Sequence, residues 1–377
     1  MKSTVYQEIQ NRDAPTLRRL SPPIQRAAYS DRIAWQMAIL AELAYIEFER
    51  APLQILSELA EELAKASGVH EIESKLKKLE NIFSKGSRSR TASLKAILKV
   101  AGFELVDTFY NRDLDPLKNT EGFVAKTDGT HHSRAFAVLS IRGTTSYQDW
   151  MYNADAGLEE INGGVKVHKG FHRAYLDASE QIDSALANVG DDRPLFICGH
   201  SLGGAVAVIA TWYKARDSLG ACYTFGAPRV GDHRFNDSFH TPIYRIVNAF
   251  DPVPMLPPSE HIISVLKFVL RIFENIALAS IFRPLRQYLT KVQHYRHAGD
   301  LRHMTAGEMD ADGSYPTVKY LKSIGLIERT KRAWELLLRK CFKRPDRYHD
   351  MSTYRRKLRA RAIERAPQDQ KQVLDLN

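Results

Sequence analysis

The chain has 377 residues, a formal net charge of +10, 44% hydrophobic residues and 26% charged residues, and these proportions are ordinary for one or two globular domains. Three cysteines do not make a disulfide framework. No metal-ligand or phosphate-loop motif stands out, and segment 1–13 lacks the apolar core of a secretory signal. We therefore expect no cofactor or metal, and a cytoplasmic or peripheral membrane location.

The first 94 residues are predicted to form helices that pack on a following core. Ser30 or Asp31 is placed to cap a helix whose apolar residues recur at helical spacing from Ile33 to Ala44. Two more amphipathic runs follow at 53–64 and 72–83. The last of these is polar enough to be a surface helix or an interaction arm, and the sequence leaves both open.

The segment 135–141 is strongly apolar and predicts a buried strand that runs into Arg142, Gly143 and Thr144. A turn at this point can direct a backbone N–H at a reacting oxygen. We expect the N–H groups of Thr144 and Leu202 to form an oxyanion hole. A plain turn after a strand, with Gly143 only a turn residue, is the alternative.

The segment Gly199-His200-Ser201-Leu202-Gly203 lies between an apolar run, 194–198, and a run of small apolar residues, 205–210. A G-x-S-x-G motif between a strand and a helix is typical of a nucleophilic serine. Gly199 and Gly203 would let the strand and helix approach closely, and the turn would expose the Ser201 hydroxyl. His200 is interpreted as a packing or hydrogen-bonding neighbour rather than as the base.

Asp251 follows a predicted strand, 243–250, and precedes a proline-rich turn. A carboxylate fixed there is well placed to orient an imidazole, although a simple turn cap is the alternative. The order Ser, acid, His that the chain offers is the order of α/β-hydrolases.

Four segments together resemble the class 3 lipases, the family of fungal triacylglycerol lipases and their plant and bacterial relatives. They are 141–150, with Arg142-Gly143-Thr144-Thr145 and Asp149-Trp150; 167–175; 199–231, with the serine turn and Tyr223-Thr224-Phe225-Gly226-Ala227-Pro228; and 244–254. The resemblance covers about 95–300 and implies an α/β-hydrolase fold, a mostly parallel sheet flanked by helices. We assign the catalytic domain to 95–377. The resemblance also implies Ser201 as nucleophile, Asp251 as acid, Thr144 and Leu202 as oxyanion donors, and a lid near 146–165.

The catalytic base is predicted to be His349, because 349–354 resembles the family's H-x-M-x-x-Y ending and precedes a helical pattern. His297 is the alternative base. The assignment to His349 requires a long excursion, 300–348, between the last core strand and the base.

An insertion at 259–290 departs from the family pattern. Its segment 262–282 is apolar apart from a narrow polar stripe that includes Lys267, Arg271 and Glu274. The pattern is consistent with a buried helix, with an interfacial helix or lid that docks on lipid, or with a membrane span, which the three charges disfavour.

The basic C-terminal segment, 315–377, contains 17 Lys and Arg against 7 Asp and Glu, most densely at 355–361. This excess suggests attraction to an anionic membrane surface, while a solvated basic helix is the plain alternative. No groove-reading motif accompanies the charge, so no nucleic acid partner is expected.

The sequence therefore predicts a serine hydrolase of the lipase or phospholipase A type that cleaves acyl esters of phospholipids or glycerides at a lipid surface. Two other hypotheses stay open: a catalytically inactive lipase-like scaffold that binds partners, and a membrane-attacking lipase effector.

Overall fold

The computed structural model describes residues 2–19, 28–45, 91–110, 120–128, 135–143, 157–190, 193–215, 219–274, 279–307, 309–310, 315, 318–321 and 346–365. The predicted helices at 53–64 and 72–83 lie outside these residues, as do Thr144 and most of the predicted lid.

A central sheet of eight described strands organises the fold. In chain order the strands are β1 Glu104–Tyr110, β2 Glu121–Thr127, β3 Phe136–Ile141, β6 Leu195–His200, β7 Leu219–Phe225, β8 Ile243–Asn248, β9 Asp300–Met304 and β10 Tyr320–Leu321, and they lie in that same order across the sheet. Strands β3, β6, β7, β8 and β9 are mutually parallel, whereas β1, β2 and β10 are antiparallel to their neighbours. Two short antiparallel strands, β4 Leu158–Ile161 and β5 Val165–His168, form a separate hairpin.

Helices cover both faces of the sheet. The helices that the structure describes are, in chain order, α1 Lys2–Glu8, α2 Ala14–Arg19, α3 Asp31–Leu43, α4 at 91–100, α5 Lys169–Ala187, α6 Leu202–Tyr213, α7 His233–Asp237, α8 Glu260–Glu274, α9 Ala279–Lys291, α10 Asp346–His349 and α11 Met351–Glu364. Helices α3, α4 and α11 share one hydrophobic core with the sheet, and α5 and α6 share a second. A mostly parallel sheet between two helical layers confirms the predicted α/β-hydrolase fold.

The predicted helix from Ser30 is present as α3, with Ser30 at its N-cap position. This helix is buried almost all round rather than along one stripe, because it lies between the sheet and α11. The predicted domain boundary at 94/95 falls inside α4, whose residues Leu94, Ile97 and Leu98 join the same core.

The basic run at 355–361 is not the surface patch that the sequence suggested. Arg355 and Lys357 are fully buried, and Arg361 is nearly so. Arg355 forms ion pairs with Glu8, Asp13 and Glu42. Much of the positive charge of α11 is therefore paired with carboxylates near the N-terminus, because buried carboxylates need a counter-charge.

The insertion forms two described helices, α8 and α9, rather than one helix over 262–282. Ile263 and Leu270 of α8 pack against Leu289 and Val292, at the end of α9 and just beyond it. Among the helices that the structure describes, none is both long and apolar enough to cross a bilayer.

Candidate active site

Ser201 lies in a sharp turn between β6 and α6. Its φ of 58° and ψ of −130° place a non-glycine residue in a strained backbone region. A side chain on Gly199 would collide with the backbone of Gly203, and one on Gly203 would collide with the backbone of Ile141 and Arg142. Only glycine at both positions lets strand and helix approach this closely, which holds Ser201 at the apex.

Ser201, His349 and Asp251 form one hydrogen-bonded line. His349 Nε2 lies 2.8 Å from Ser201 Oγ, and His349 Nδ1 lies 3.0 and 2.9 Å from the two oxygens of Asp251. A carboxylate accepts only, so Nδ1 carries the proton and Nε2 is free to accept from the serine hydroxyl. All three side chains are buried. The arrangement has the connectivity and the tautomer that a serine nucleophile requires.

The Asp251 carboxylate is held by several donors. Besides His349, the backbone N–H of Val253 donates to Oδ1 at 2.9 Å, and the hydroxyl of Tyr354 donates to Oδ2 at 2.6 Å. These donors satisfy the buried carboxylate oxygens and fix the orientation of the carboxylate. Burial, together with the nearby charge of Asp251, holds the pKa of Tyr354 well above its usual range, so this hydroxyl keeps its proton.

A polar network beside Asp251 and His349 connects the end of β8 to α10, which carries His349, and to α11. The backbone N–H of Asn248 donates to the Tyr354 hydroxyl at 2.9 Å, and its side-chain amide donates to the Tyr348 carbonyl at 2.8 Å. Lys357 donates to Asn248 Oδ1 at 2.8 Å and to the Thr305 and Ala306 carbonyls. Burial lowers the pKa of Lys357 to about 8. The network fixes the backbone on both sides of the Asp251–His349 contact.

Gly226 closes the site from the end of β7. Its φ is +59°, and a Cβ at this position would lie 2.6 Å from Asp251 Oδ2 and 3.1 Å from His349 Nδ1. Asp251 and His349 can meet here because this backbone position has no side chain.

The other residues predicted for the site are placed as follows. Leu202 is the first residue of α6, so its N–H is one of the donors at the helix start that have no partner within the helix. His200 does not face Ser201 as a base: its Nε2 bonds to the His349 carbonyl. The alternative base, His297, bonds through Nε2 to the Pro254 carbonyl. The structure thus brings His349, and not His297, to Ser201.

A family model described as lipase (class 3) matches residues 138–261, the segment that contains β3, the Ser201 turn and Asp251. This part of the chain is therefore similar to the class 3 lipases. His349, the predicted base, lies beyond the matched segment, as do α3 and α11.

Several relatives are similar over this part of the chain. The secreted mono- and diacylglycerol lipase 1 of Fusarium solani is 35% identical over 138 residues, which are 34% of this chain and 41% of that protein. The lipase of Rhizomucor miehei is 32% identical and covers 37% and 42%. Phospholipase A1 EG1 of Oryza sativa subsp. indica is 26% identical and covers 44% and 42%. The chain thus spans about two fifths of the length of these relatives.

Solved lipase structures are similar at a lower level. Lipase II from Rhizopus niveus matches with a TM-score of 0.43 at 22% identity, over 61% of this chain and 74% of that one. The lipase from Rhizopus microsporus var. chinensis matches with a TM-score of 0.40 at 24% identity, over 67% and 75%.

Sequence reasoning did not assign roles to Tyr354, Gly226 and Asn248. Tyr354 belongs to the H-x-M-x-x-Y pattern and Gly226 to the 199–231 segment, both of which resemble the family. The sequence therefore pointed to these two positions without indicating what they do. Asn248 ends the predicted strand before Asp251 and carried none, because its partners come from a helix about a hundred residues later.

Proposed function

We propose that this protein is a carboxylic ester hydrolase that cleaves acyl esters of lipids through Ser201, His349 and Asp251. The observation that carries the proposal is the unbroken hydrogen-bonded line from the Ser201 hydroxyl through His349 to Asp251. No cofactor is part of the proposed reaction.

In the first half of the reaction, Ser201 Oγ attacks the ester carbonyl carbon as His349 Nε2 takes the hydroxyl proton. Asp251 stabilises the imidazolium that forms. The Leu202 N–H at the start of α6 stabilises the oxyanion, and Thr144, outside the described residues, is proposed as the second donor. The carbon–oxygen bond to the alcohol then breaks, and His349 returns its proton to the leaving alkoxide.

In the second half, water attacks the acyl-enzyme as His349 takes one of its protons. The bond to Ser201 breaks, the fatty acid leaves, and the serine recovers its proton. The proposed substrate class rests on the relatives, whose names include a mono- and diacylglycerol lipase and phospholipases A1. Glycerides and phospholipids are therefore the substrates to compare.

The test is fatty-acid release from vesicles of phosphatidylcholine and from emulsified diacylglycerol. We expect Ser201→Ala and His349→Ala each to lose at least about a thousandfold in rate. His297→Ala is the matched control and should keep its activity. Release by Ser201→Ala at the wild-type rate would overturn the proposed chemistry. No release by the wild-type protein from either lipid would instead favour the inactive scaffold.

We propose further that α8 brings the protein to the lipid surface. Four apolar side chains on this helix are exposed to solvent: Ile262, Val265, Leu266 and Phe268. Val265 and Phe268 are 62% and 64% exposed, an unusual state for side chains of this size when they have several apolar neighbours. On the neighbouring helix α9, Arg283 and Lys291 are also exposed. An exposed apolar helix face beside basic residues fits an anionic lipid surface.

This docking is tested with Ser201→Ala protein, so that the vesicles stay intact. Sedimentation is measured with phosphatidylcholine vesicles, with and without phosphatidylglycerol. Adding Val265→Ser and Phe268→Ser should weaken vesicle binding at least about tenfold, because two large apolar side chains no longer enter the bilayer. Leu176→Ser, which alters a 47% exposed leucine on α5, is the control. Equal binding of the doubly substituted protein and its parent would overturn the role of α8.

A further inference from the structure

A chain of hydrogen bonds reaches the active site from the N-terminal helices. Tyr45 follows the end of α3 and comes well before residues 138–261, the matched segment, in the sequence. Its hydroxyl lies 2.7 Å from His200 Nδ1, and His200 Nε2 lies 2.7 Å from the backbone carbonyl of His349. The backbone N–H of Gly143 also bonds to the Tyr45 hydroxyl.

The direction of each bond follows from the chemistry of the groups. The His349 carbonyl can only accept, so His200 Nε2 carries a proton and donates. Burial, followed by the neighbouring His349, keeps the pKa of His200 well below its usual range, so the ring is neutral and Nδ1 accepts. The Tyr45 hydroxyl therefore donates to Nδ1, and its oxygen accepts from Gly143. No donor in this chain of bonds faces another donor.

The network connects two parts of the site whose relative position matters for the proposed reaction. One end holds the backbone of His349, whose ring lies 4.5 Å from the His200 ring. The other end holds Gly143, the residue directly before Thr144. A Cβ on Gly143 would lie 2.6 Å from the Tyr45 hydroxyl and 3.1 Å from Ser201 Cβ, so the tyrosine oxygen lies close against the nucleophile's turn. A neutral His200 also leaves the His349 imidazolium without a second positive charge beside it.

We infer that Tyr45 and His200 are positioning residues that fix the backbone of His349 relative to Gly143, the residue before the proposed oxyanion donor Thr144. This inference rests on the proposed function, because it assigns a role within the same reaction. It gives the N-terminal helical region a part in positioning the site: α3 supplies apolar surface to the core, and Tyr45, just beyond its end, supplies a hydroxyl.

The test is the second-order rate constant for phosphonylation by a small water-soluble p-nitrophenyl phosphonate. This reaction needs the nucleophile, the base and the oxyanion hole, and it needs no lipid surface. We expect Tyr45→Phe to lower the rate constant about tenfold, since small displacements of reacting groups are costly. With p-nitrophenyl butyrate the loss should fall on kcat and leave KM unchanged. Tyr29→Phe is the matched control, because its hydroxyl bonds to Tyr320 instead.

His200 supplies the second arm of the test. His200→Leu removes both bonds and should slow phosphonylation about a hundredfold. His200→Gln keeps a donor and an acceptor and should recover most of that loss. Phosphonylation of Tyr45→Phe within twofold of wild type, or no recovery by His200→Gln relative to His200→Leu, would overturn the inference. If the wild-type protein is not phosphonylated at all, the proposed function itself has failed.

Discussion

The Tyr354 hydroxyl donates a hydrogen bond to Asp251 Oδ2 at 2.6 Å. Helix α11, which begins just after His349, therefore contacts the acid of the proposed triad. The same hydroxyl accepts from the backbone N–H of Asn248, so one oxygen joins β8, Asp251 and α11.

Tyr354→Phe should weaken both activity and stability. The substitution removes a donor from a buried carboxylate and leaves the Asn248 N–H without this acceptor. Such losses cost about 1–3 kcal/mol in the free energy of unfolding, and a less firmly held Asp251 should lower kcat at least about tenfold. Urea unfolding and hydrolysis of p-nitrophenyl butyrate measure the two effects. Tyr213→Phe, which loses a bond to His172, should keep its kcat, and an equal loss in both proteins would argue against this role.

Gly226→Ala should disrupt the triad directly. Its Cβ would lie 2.6 Å from Asp251 Oδ2 and 3.0 Å from the Tyr354 hydroxyl, so the carboxylate must move away from His349. We expect activity to fall at least about a hundredfold. The control is Gly163→Ala, where φ is also positive, at +82°, but no atom lies within 4 Å of the added Cβ. Gly163→Ala introduces backbone strain without a steric clash, so it should keep its activity. Full activity of Gly226→Ala would contradict the prediction, because it would show that the site tolerates the displacement of Asp251.

The buried Lys357 should make stability depend on pH above neutrality. Its pKa is lowered from 10.5 to about 8 in the folded protein. Below pH 8 Lys357 is protonated in both the folded and the unfolded protein. Burial of its charge then lowers the free energy of unfolding in full. Between pH 8 and 10.5 the unfolded chain binds more protons, so the free energy of unfolding rises with pH on account of this group.

Lys357→Met removes that contribution. Urea unfolding at pH 7 and pH 10 should show that the wild-type protein gains stability relative to Lys357→Met as the pH rises. A difference between the two proteins that stays constant over this range, or that shrinks, would contradict the assigned pKa.

Arg355→Met should be strongly destabilising. The arginine is fully buried and faces Glu8, Asp13 and Glu42, so its removal leaves carboxylates without their counter-charge. Breaking such a buried cluster costs about 3–5 kcal/mol. Arg296→Met breaks an ion pair with Glu260 in which both side chains are about half exposed, and it should cost less than about 1 kcal/mol. Thermal unfolding compares the two, and a similar small loss in both would mean that Arg355 is not the anchor of the N-terminal helices.

The sequence predicted the fold well where the signals are local. The strands around Ser201 and before Asp251 are short apolar runs bounded by glycine or proline, and a parallel sheet buries them on both faces. The Ser201 turn needs two glycines at fixed spacing, which a sequence displays directly. His349 could be preferred over His297 because the motif after it continues into a helix.

Features that depend on distant partners were not predictable. The basic run on α11 suggested a charged surface, but its partners Glu8, Asp13 and Glu42 lie more than three hundred residues earlier. Tyr45 gave no signal because its bonds reach across to Gly143 and His200. Pattern analysis detects periodicity within an element, whereas these contacts depend on how the elements pack.

The most direct test of the central claim is to find which residue is covalently labelled by a phosphonate that reacts with nucleophilic serines. The protein is treated with a p-nitrophenyl phosphonate, digested, and mapped by peptide mass spectrometry. We predict one phosphonyl group on Ser201, none on Ser201→Ala protein, and at least about a thousandfold slower labelling of His349→Ala. A phosphonyl group on another residue, or labelling of His349→Ala at the wild-type rate, would contradict the proposed roles of Ser201 and His349.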